Sequence, residues 1–287
     1  MAVSSQFHTI IGLPRSGKTT FLAALWHLID AGEVSTKLVL DKLVGDNTYL
    51  NQIVSAWRRC EEVPRTSMLN EKKVAIHAHV PGDGQRVLLS FPDLSGESFK
   101  QQFIMRECSP DYVEGLGLPG GMLLFINANR PTDGLTIADI TSAVGPPDTS
   151  EAEARTERAW TPDFVPEQVR LVDLLQFLQR SPFSRRCRRL AVVISAWDAV
   201  LTPKPTPEKW LDRELPLLHQ FLSNNPQSFQ VRVYGVSAQG GDVTGEQRTE
   251  LLKRTPSARI ECIGPNTDPH DLTAPILWLG GGDSFER

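Results

Sequence analysis

Cysteine is scarce in this sequence of 287 residues. The four cysteines, Cys60, Cys108, Cys187 and Cys262, lie far apart, and no CxxC pair or cysteine–histidine ligand spacing occurs. Small disulfide scaffolds and zinc-binding modules depend on such spacings. The sequence therefore predicts reduced, buried thiols, as in a cytosolic protein.

Long apolar runs and an excess of positive charge are also lacking. The longest apolar stretches, such as 21–25 and 190–194, are far shorter than the roughly 20 residues that a membrane helix needs. No signal peptide is visible at the N-terminus. The formal net charge is −4, so neither a nucleic acid nor an anionic membrane is the expected partner. We expect a cytoplasmic protein without a membrane span.

The order of the predicted elements indicates an α/β fold. Apolar segments of strand length alternate with segments of helical periodicity, which predicts a mostly parallel sheet with helices on both faces. Strands are predicted at 6–11, 74–80, 86–91, 122–127, 190–196, 230–236 and 259–264. Helices are predicted at 18–31, 49–59, 98–108, 166–180, 208–223 and 244–254. The interval 130–163, rich in proline and charged residues, fits no element, and we interpret it as an insertion within one domain spanning 1–287.

Two of these strands form a predicted hairpin. Residues 74–80 alternate between apolar and polar side chains, residues 81–84 read Pro-Gly-Asp-Gly, and residues 86–91 are more uniformly apolar. Proline and glycine together favour a turn. Alternation is typical of a strand with one exposed face, whereas continuous apolarity is typical of a buried one. We therefore expect an antiparallel edge strand at 74–80 beside a central strand.

A glycine loop follows the first strand. The segment Gly12-Leu13-Pro14-Arg15-Ser16-Gly17-Lys18-Thr19 matches GxxxxGK[ST], and an apolar helix follows it. In such a loop, backbone N–H groups and the helix N-terminus stabilise phosphate charge. The lysine, here Lys18, reaches the β- and γ-phosphates, and the hydroxyl of Thr19 ligates magnesium. The predicted phosphate contacts are Gly12, Arg15, Ser16, Gly17, Lys18, Thr19 and Thr20.

A second motif, DxxG, ends the strand at 86–91. Asp93 stands where it can hold magnesium through a water, and Gly96 can offer its backbone N–H to the γ-phosphate. A lone DxxG tetrapeptide is weak, since an aspartate after a strand is often only a turn residue. Its position after a glycine loop, at the end of the hairpin, favours the nucleotide interpretation.

Two further strand ends indicate a base pocket. Ser195, Ala196 and Asp198 close the strand at 190–196, and a carboxylate there can accept hydrogen bonds from N1 and N2 of guanine. Adenine offers no such pair of donors. Ser237 and Ala238 end a later strand, where small residues allow a backbone N–H to meet the guanine carbonyl oxygen.

Together these residues resemble the translation-factor and Ras class of P-loop GTPases, whose boxes are GxxxxGK[ST], DxxG, [NT]KxD and SA[KL]. Within that class the chain looks most like the bacterial double-GTPase-like proteins, through Asp-Leu-Ser-Gly-Glu at 93–97, the pair Trp197-Asp198 and the closing segment 271–279. The resemblance implies a Ras-like three-layer fold, GTP or GDP with Mg²⁺, and a nucleotide-dependent switch. It also implies a protein effector or GTPase-activating partner, a nucleotide-dependent dimer, and a place in prokaryotic conflict or defence systems.

The same resemblance implies a switch threonine before the hairpin. Thr66 is the first choice, with Ser67, Thr48 and Thr36 as rivals. Its hydroxyl or carbonyl would sense magnesium and the γ-phosphate, so that the loop is ordered only with the triphosphate.

Two departures from the family pattern concern the base and the attacking water. Ala196 replaces the lysine whose stem covers one face of the base, and Ser195 replaces the asparagine. Trp197 is a poor substitute cover, since we expect it in the core. Glu97 stands where Ras-like proteins have a glutamine, and an ionised glutamate accepts hydrogen bonds but donates none.

The role of Glu97 has two interpretations. Either it polarises the water directly, or it lies aside and intrinsic hydrolysis is slow until an arginine completes the site. Arg15, Arg155 or Arg158 could supply that arginine in cis. Two other functions compete with a GTPase switch. An ATP-dependent enzyme is disfavoured by Asp198. A non-hydrolysing binding module is disfavoured by Lys18, Thr19 and Asp93, but Glu97 leaves it open.

Overall fold

The computed structural model describes residues 6–42, 48–64, 74–82, 86–91, 97–130 and 165–281. Several predictions lie outside the described residues: Thr66 and Ser67, Asp93, Gly96, Arg155 and Arg158, and almost all of the insertion at 130–163. In the described part of the chain, no helix is both long and apolar enough to cross a bilayer.

One sheet of eight strands, in the order β2-β3-β4-β1-β5-β6-β7-β8, forms the centre of the described structure. The strands are β1 (Gln6–Ile11), β2 (Val39–Lys42), β3 (Val74–His79), β4 (Arg86–Phe91), β5 (Met122–Asn127), β6 (Arg188–Ser195), β7 (Phe229–Ser237) and β8 (Glu261–Ile263). The pairs β4–β1, β1–β5, β5–β6 and β6–β7 are parallel. The predicted α/β class with a mostly parallel sheet is confirmed.

The edges of the sheet differ in part from the prediction. Strand β8 is an antiparallel edge strand beside β7, where Val236 faces Cys262. At the other side β3 is antiparallel to β4, as predicted, but β2 lies outside it, so residues 74–79 are not the edge. Strand β2 has only four residues, and tertiary hydrogen bonds hold the segment before it: Thr273 Oγ1 accepts from the backbone N–H groups of Lys37 and Leu38 at 3.1 and 3.2 Å. Sequence periodicity does not reveal such a strand.

Helices cover both faces of the sheet. The described helices are α1 (Lys18–Ala31), α2 (Thr48–Arg58), α3 (Glu97–Met105), α4 (Pro110–Gly117), α5 (Glu167–Phe177), α6 (Pro207–Glu214), α7 (Pro216–Asn224), α8 (Gly245–Leu252) and α9 (Ala274–Leu279). The single helix predicted at 208–223 is wrong. Leu215 has φ −137° and ψ 59°, because a residue before proline is disfavoured in the helical region. Pro216 then begins α7, since proline at the first helical position loses no hydrogen bond.

The core has two layers, one on each face of the sheet. On one face Phe21 and Leu25 of α1 pack against Phe125 of β5, and on the other Leu171 and Leu175 of α5 lie in a cluster with the alternate strand residues. Strand β5 is buried on both faces. Burial on two faces accounts for its continuous apolarity.

The cysteines are only partly as predicted. All four are free, and Cys60 and Cys262 are buried, but Cys108 is half-buried and Cys187 is exposed. Cys187 lies within the basic segment 185–189. There the arginines donate to carbonyls at helix ends, Arg186 to Leu116 and Arg188 to Leu178. A cation at a helix C-terminus stabilises the last carbonyls, which gives this basic run a structural role.

Lowering the pH is expected to destabilise the fold through His8 of β1. His8 is fully buried, its Nδ1 accepts from Gly121 N–H at 3.0 Å, and burial, with a smaller contribution from the charge of Arg189, lowers its pKa from 6.5 to about 4. The unfolded chain therefore binds a proton that the folded chain does not. The stability contribution is complete above pH 6.5 and is lost as the pH falls to about 4, by up to roughly 1.4 kcal/mol per pH unit.

Urea unfolding of the wild type and of His8→Asn at pH 7.5 and pH 5 measures this effect. Asparagine does not titrate, and its amide oxygen can accept the Gly121 N–H. We expect the stability loss between the two pH values to be smaller in His8→Asn and unchanged in His219→Asn, which alters a more exposed histidine. An equal pH dependence in wild type and His8→Asn would contradict the assignment.

Candidate nucleotide-binding site

A cavity of about 800 Å³ opens at the carboxyl ends of the central parallel strands. It is lined by residues that end or follow β1, β5, β6 and β7, and by the segment after α2. Strand β1 lies between β4 and β5. Strands β2 to β4 lie on one side of β1 and strands β5 to β8 on the other, so the order in which the chain adds strands reverses at β1. Ligands of open α/β sheets bind at this kind of crevice.

The glycine loop forms the floor of the cavity, and Lys18 is its central cation. Lys18 is 2% exposed, and its Nζ donates to the carbonyls of Gly12 and Leu13 at 2.8 and 2.9 Å and to Ser16 Oγ at 3.3 Å. These bonds hold the ammonium inside the curve of the loop. A cation enclosed by a backbone turn at a helix N-terminus is suited to phosphate oxygens.

Gly17 shows why the loop needs glycine at this position. Its φ is +90°, in the left-handed region, and a Cβ there would lie 2.6 Å from Ser195 Oγ and 2.7 Å from Ser195 Cβ. The Ser195 hydroxyl donates to the carbonyl of Ser16 at 2.8 Å. Ser195 therefore ties the end of β6 to the loop, and a side chain at position 17 would break that contact.

Asn127, at the end of β5, is a site residue that the sequence analysis missed. Its Nδ2 donates to the carbonyl of Arg15 at 2.9 Å, and its Oδ1 accepts from the N–H of Asn129. Arg15 itself has φ +64° and an exposed side chain that lines the cavity. A polar residue directly after the buried run of β5 was the available signal.

Asp198 is held at the cavity by the end of β7. Its Oδ1 accepts a hydrogen bond from Ser237 Oγ, and that hydroxyl accepts from Gly240 N–H at 3.0 Å. Ser237 is buried and lies behind Asp198, so its side chain positions the carboxylate. Ala238 lines the cavity directly.

Trp197 is in the core, as expected, and cannot cover a base. It is fully buried and packs edge-on against Trp210 with 6.3 Å between ring centroids. Gly235 lies so close that a Cβ there would clash with the indole. Ala196 has φ +53° and ψ 41°, which turns the chain so that Trp197 enters the core while Asp198 stays at the surface.

A second wall of the cavity was not predicted. Glu61, Glu62 and Val63 follow α2, and they line the cavity together with residues of the loop after β7 and of α8. The latter are Gln239, Gly241, Asp242, Val243 and Gln247. No motif marks these residues, because segments distant in sequence form the wall.

The start of α3 lies near the glycine loop. The ring of Phe99 is 5.9 Å from Lys18 Nζ, and α3 begins two residues earlier at Glu97. Only the backbone of Glu97 belongs to the described structure.

The structure brings most of the described site predictions together. Those that line the cavity are Arg15, Ser16, Gly17, Lys18, Thr19, Thr20, Ser195, Ala196, Asp198 and Ala238. Gly12 lies behind it and contributes its carbonyl to Lys18. Of the rival switch residues, Thr36 donates instead to Leu38 O beside β2, at 2.8 Å, and does not line the cavity.

The whole chain was compared with solved structures and with curated proteins. The Saccharomyces cerevisiae Ski7 GTPase-like domain bound to GTP is 12% identical, with a TM-score of 0.44, over 98% of this chain and 50% of that one. The signal recognition particle receptor SRb-GTP/SRX complex from Chaetomium thermophilum is 14% identical, with a TM-score of 0.38, over 89% of this chain and 100% of that one. A single-residue variant of Aquifex aeolicus Era bound to GDP.AlF4⁻ is 15% identical, with a TM-score of 0.35, over 94% of this chain and 60% of that one.

This chain thus spans half of the Ski7 chain. No curated protein matches the chain. The family comparison is decisive, because the model of the Double-GTPase 1 family matches residues 9–279. That range includes the glycine loop, Asp198 and the segment at 271–279. The chain belongs to the Double-GTPase 1 family of P-loop GTPases.

Proposed function

We propose that the cavity binds a guanine nucleotide with magnesium, and that slow GTP hydrolysis resets a nucleotide-dependent switch. One observation carries the proposal. The loop that encloses Lys18 and the strand end that presents Asp198 are joined by the Ser195–Ser16 hydrogen bond, and both line one cavity. A group for phosphate and a group for a base therefore belong to a single site.

At the phosphate end, the loop backbone and Lys18 perform the binding. The ammonium has three donors, which now contact Gly12, Leu13 and Ser16 within the loop. Exchange of some of these for phosphate oxygens replaces neutral acceptors with charged ones, and charge-assisted bonds are about twice as strong. The start of α1 adds its N–H groups and the positive end of its dipole.

Magnesium fits the donors that this end supplies. Among the described residues, no group of three histidine, cysteine or acidic side chains could hold a metal. Mg²⁺ at nucleotide sites needs only one or two protein ligands, since phosphate oxygens and waters complete its shell. Thr19, the second residue of α1, lines the cavity and would supply its hydroxyl. Asp93 and Thr66 remain proposed ligands outside the described residues.

At the base end, Asp198 would accept from N1 and N2 of guanine. Ser237 uses one lone pair of Oδ1, and a carboxylate has about four such sites, so both oxygens can still accept. Ala196 leaves one face of the base without the usual lysine stem. Val63 and Val243 both line the cavity, and we propose that they supply apolar cover.

For hydrolysis, Glu97 is proposed to act on the attacking water or to leave the step slow. In support, Phe99, two residues after Glu97 in α3, has its ring 5.9 Å from Lys18 Nζ. Arg15 is exposed on the loop and lines the cavity, so it is the described candidate for an arginine near the γ-phosphate. A protein effector, a GTPase-activating partner or a nucleotide-dependent dimer would read or complete this site. We propose that it does so in the cytoplasm, within a prokaryotic conflict or defence system.

Nucleotide preference and turnover test this function. The purified protein is titrated calorimetrically with GTP and ATP, with Mg²⁺ and with EDTA, and phosphate release is then followed. We expect GTP to bind at least tenfold more tightly than ATP, magnesium to strengthen binding, and turnover to be slow and altered in Glu97→Ala. Equal affinity for the two nucleotides would refute the guanine site. Tight GTP binding without any phosphate release would show that the protein is a non-hydrolysing binding module and not a GTPase switch.

A further inference from the structure

Trp57, near the end of α2, joins that helix to the base end of the cavity. Trp57 is fully buried, and its Nε1 donates to the carbonyl of Ala238 at 2.9 Å. In return, Gln239 Nε2 donates to the carbonyl of Trp57 at 3.2 Å. Both Ala238 and Gln239 line the cavity, whereas Trp57 does not. The indole thus supports the binding surface from behind.

Trp57 is itself held by two buried neighbours. The guanidinium of Arg259 lies 4.8 Å from its ring centroid, and the ring of His27 lies 5.1 Å from it. Arg259 also donates to the carbonyl of Arg58 at 3.3 Å and bonds the thiol of Cys60. Arg259 is 3% exposed and His27 is 3% exposed. These buried contacts support the observed orientation of the indole, in which Nε1 donates to Ala238.

Fixing the Ala238 carbonyl fixes a whole peptide plane. In a trans peptide the C=O and the following N–H point in opposite directions. Because the Ala238 oxygen is directed at Trp57, the N–H of Gln239 is directed away from it. A rotation of this plane would turn the Gln239 N–H out of its direction, and hydrogen bonds weaken steeply with misalignment.

We propose that Trp57 is a positioning residue for base recognition, which orients the Ala238–Gln239 peptide so that its N–H, that of Gln239, meets the carbonyl oxygen of guanine. The inference rests on the proposed function and deepens it. Helix α2 continues directly into Glu61, Glu62 and Val63, which line the same cavity. Trp57 therefore joins the two walls of the base pocket, although it touches no nucleotide.

Trp57→Phe tests the proposal, because it keeps an aromatic ring for Arg259 and His27 but removes the Nε1 donor. Affinities are measured for GDP, for 2,6-diaminopurine riboside diphosphate and for inorganic tripolyphosphate. The diaminopurine keeps the N2 donor but lacks both the carbonyl at position 6 and the hydrogen on N1, and tripolyphosphate has no base. Trp26→Phe is the matched control, since Trp26 is a buried tryptophan of α1 in the same core cluster and does not line the cavity.

We expect Trp57→Phe to weaken GDP binding about tenfold, since a single hydrogen bond is worth about that factor. Its tripolyphosphate affinity should stay within about twofold of the wild type. Its preference for GDP over the diaminopurine should fall by about the same tenfold, while the part of the preference that Asp198 gives through N1 remains. Trp26→Phe should change none of these. A parallel loss of GDP and tripolyphosphate binding would show a merely structural role and overturn the proposal, as would an unchanged preference.

A second variant covers the case in which Trp57→Phe does not fold. Arg259→Lys keeps the positive charge but loses the planar stacking on Trp57 and the bond to Arg58, and it should reduce the same preference about threefold. No reduction in Arg259→Lys would then overturn the proposal. Failure of the proposed guanine site can be distinguished from failure of this inference. If the wild type shows no preference for GDP over ADP, the guanine site itself is rejected.

Discussion

Lys18→Ala is expected to weaken GTP and GDP binding by at least about a hundredfold. The ammonium is buried in the glycine loop and is bonded to Gly12, Leu13 and Ser16. Hydrogen bonds to charged groups contribute about 1.5–3 kcal/mol each, and two phosphate contacts would therefore contribute about 3–6 kcal/mol. Isothermal titration calorimetry with each nucleotide and Mg²⁺ measures the loss.

Lys18→Ala removes both the charge and the buried aliphatic stem, so further variants are needed to separate the two effects. Lys18→Met keeps most of the buried aliphatic stem and should lose nearly as much affinity as Lys18→Ala, with less loss of stability in urea. Lys209→Met, on the exposed side of α6, should bind like the wild type. Binding that survives in both Lys18 variants would show that the loop does not hold the phosphates.

Asp198→Asn should change which base the cavity prefers. A carboxylate accepts from both N1 and N2 of guanine, whereas an amide presents one donor group, which would face the N2 amino group. We expect GTP binding to weaken about a hundredfold, because a charge-assisted hydrogen bond to N2 is lost and two donors face each other in its place. Xanthosine triphosphate should bind better than it does to the wild type, since its carbonyl at position 2 can accept from the amide.

Competition between GTP and xanthosine triphosphate for each variant, at one protein concentration, measures the base preference directly. Asp212→Asn, an exposed substitution on α6, is the control and should leave the GTP preference unchanged. Ser237→Ala, which removes the hydroxyl that holds Asp198, should also weaken GTP binding, but by a smaller factor than Asp198→Asn. If Asp198→Asn weakened GTP and xanthosine triphosphate equally, Asp198 would not read the base.

Local sequence patterns predicted the main elements closely. The predicted strand at 6–11 and helix at 18–31 coincide with β1 and α1, because an apolar run, a glycine loop and a helical period follow one another without ambiguity. By contrast, β2, α4 and α9 were missed. These elements have four, eight and six residues. Such short segments show only about two periods of a strand or helix pattern, and their stability comes from contacts made elsewhere.

For the site, the sequence determined the chemistry of the groups that ligands would meet. A lysine within a glycine loop, here Lys18, and a carboxylate at the end of a buried strand are both local patterns. Each can be recognised from consecutive residues alone. The family match over residues 9–279 agrees with that order of motifs.

Only the tertiary structure decided how these groups are supported. Asn127 holds the Arg15 carbonyl, Ser237 holds Asp198, and Trp57 holds Ala238 across 181 residues of chain. The physical reason is that a hydrogen bond between distant segments depends on the packing of whole elements, which leaves no periodicity or spacing at either end. The sequence by itself thus predicted a triphosphate site with a base-reading carboxylate, while the fold determined which buried side chains support the cavity.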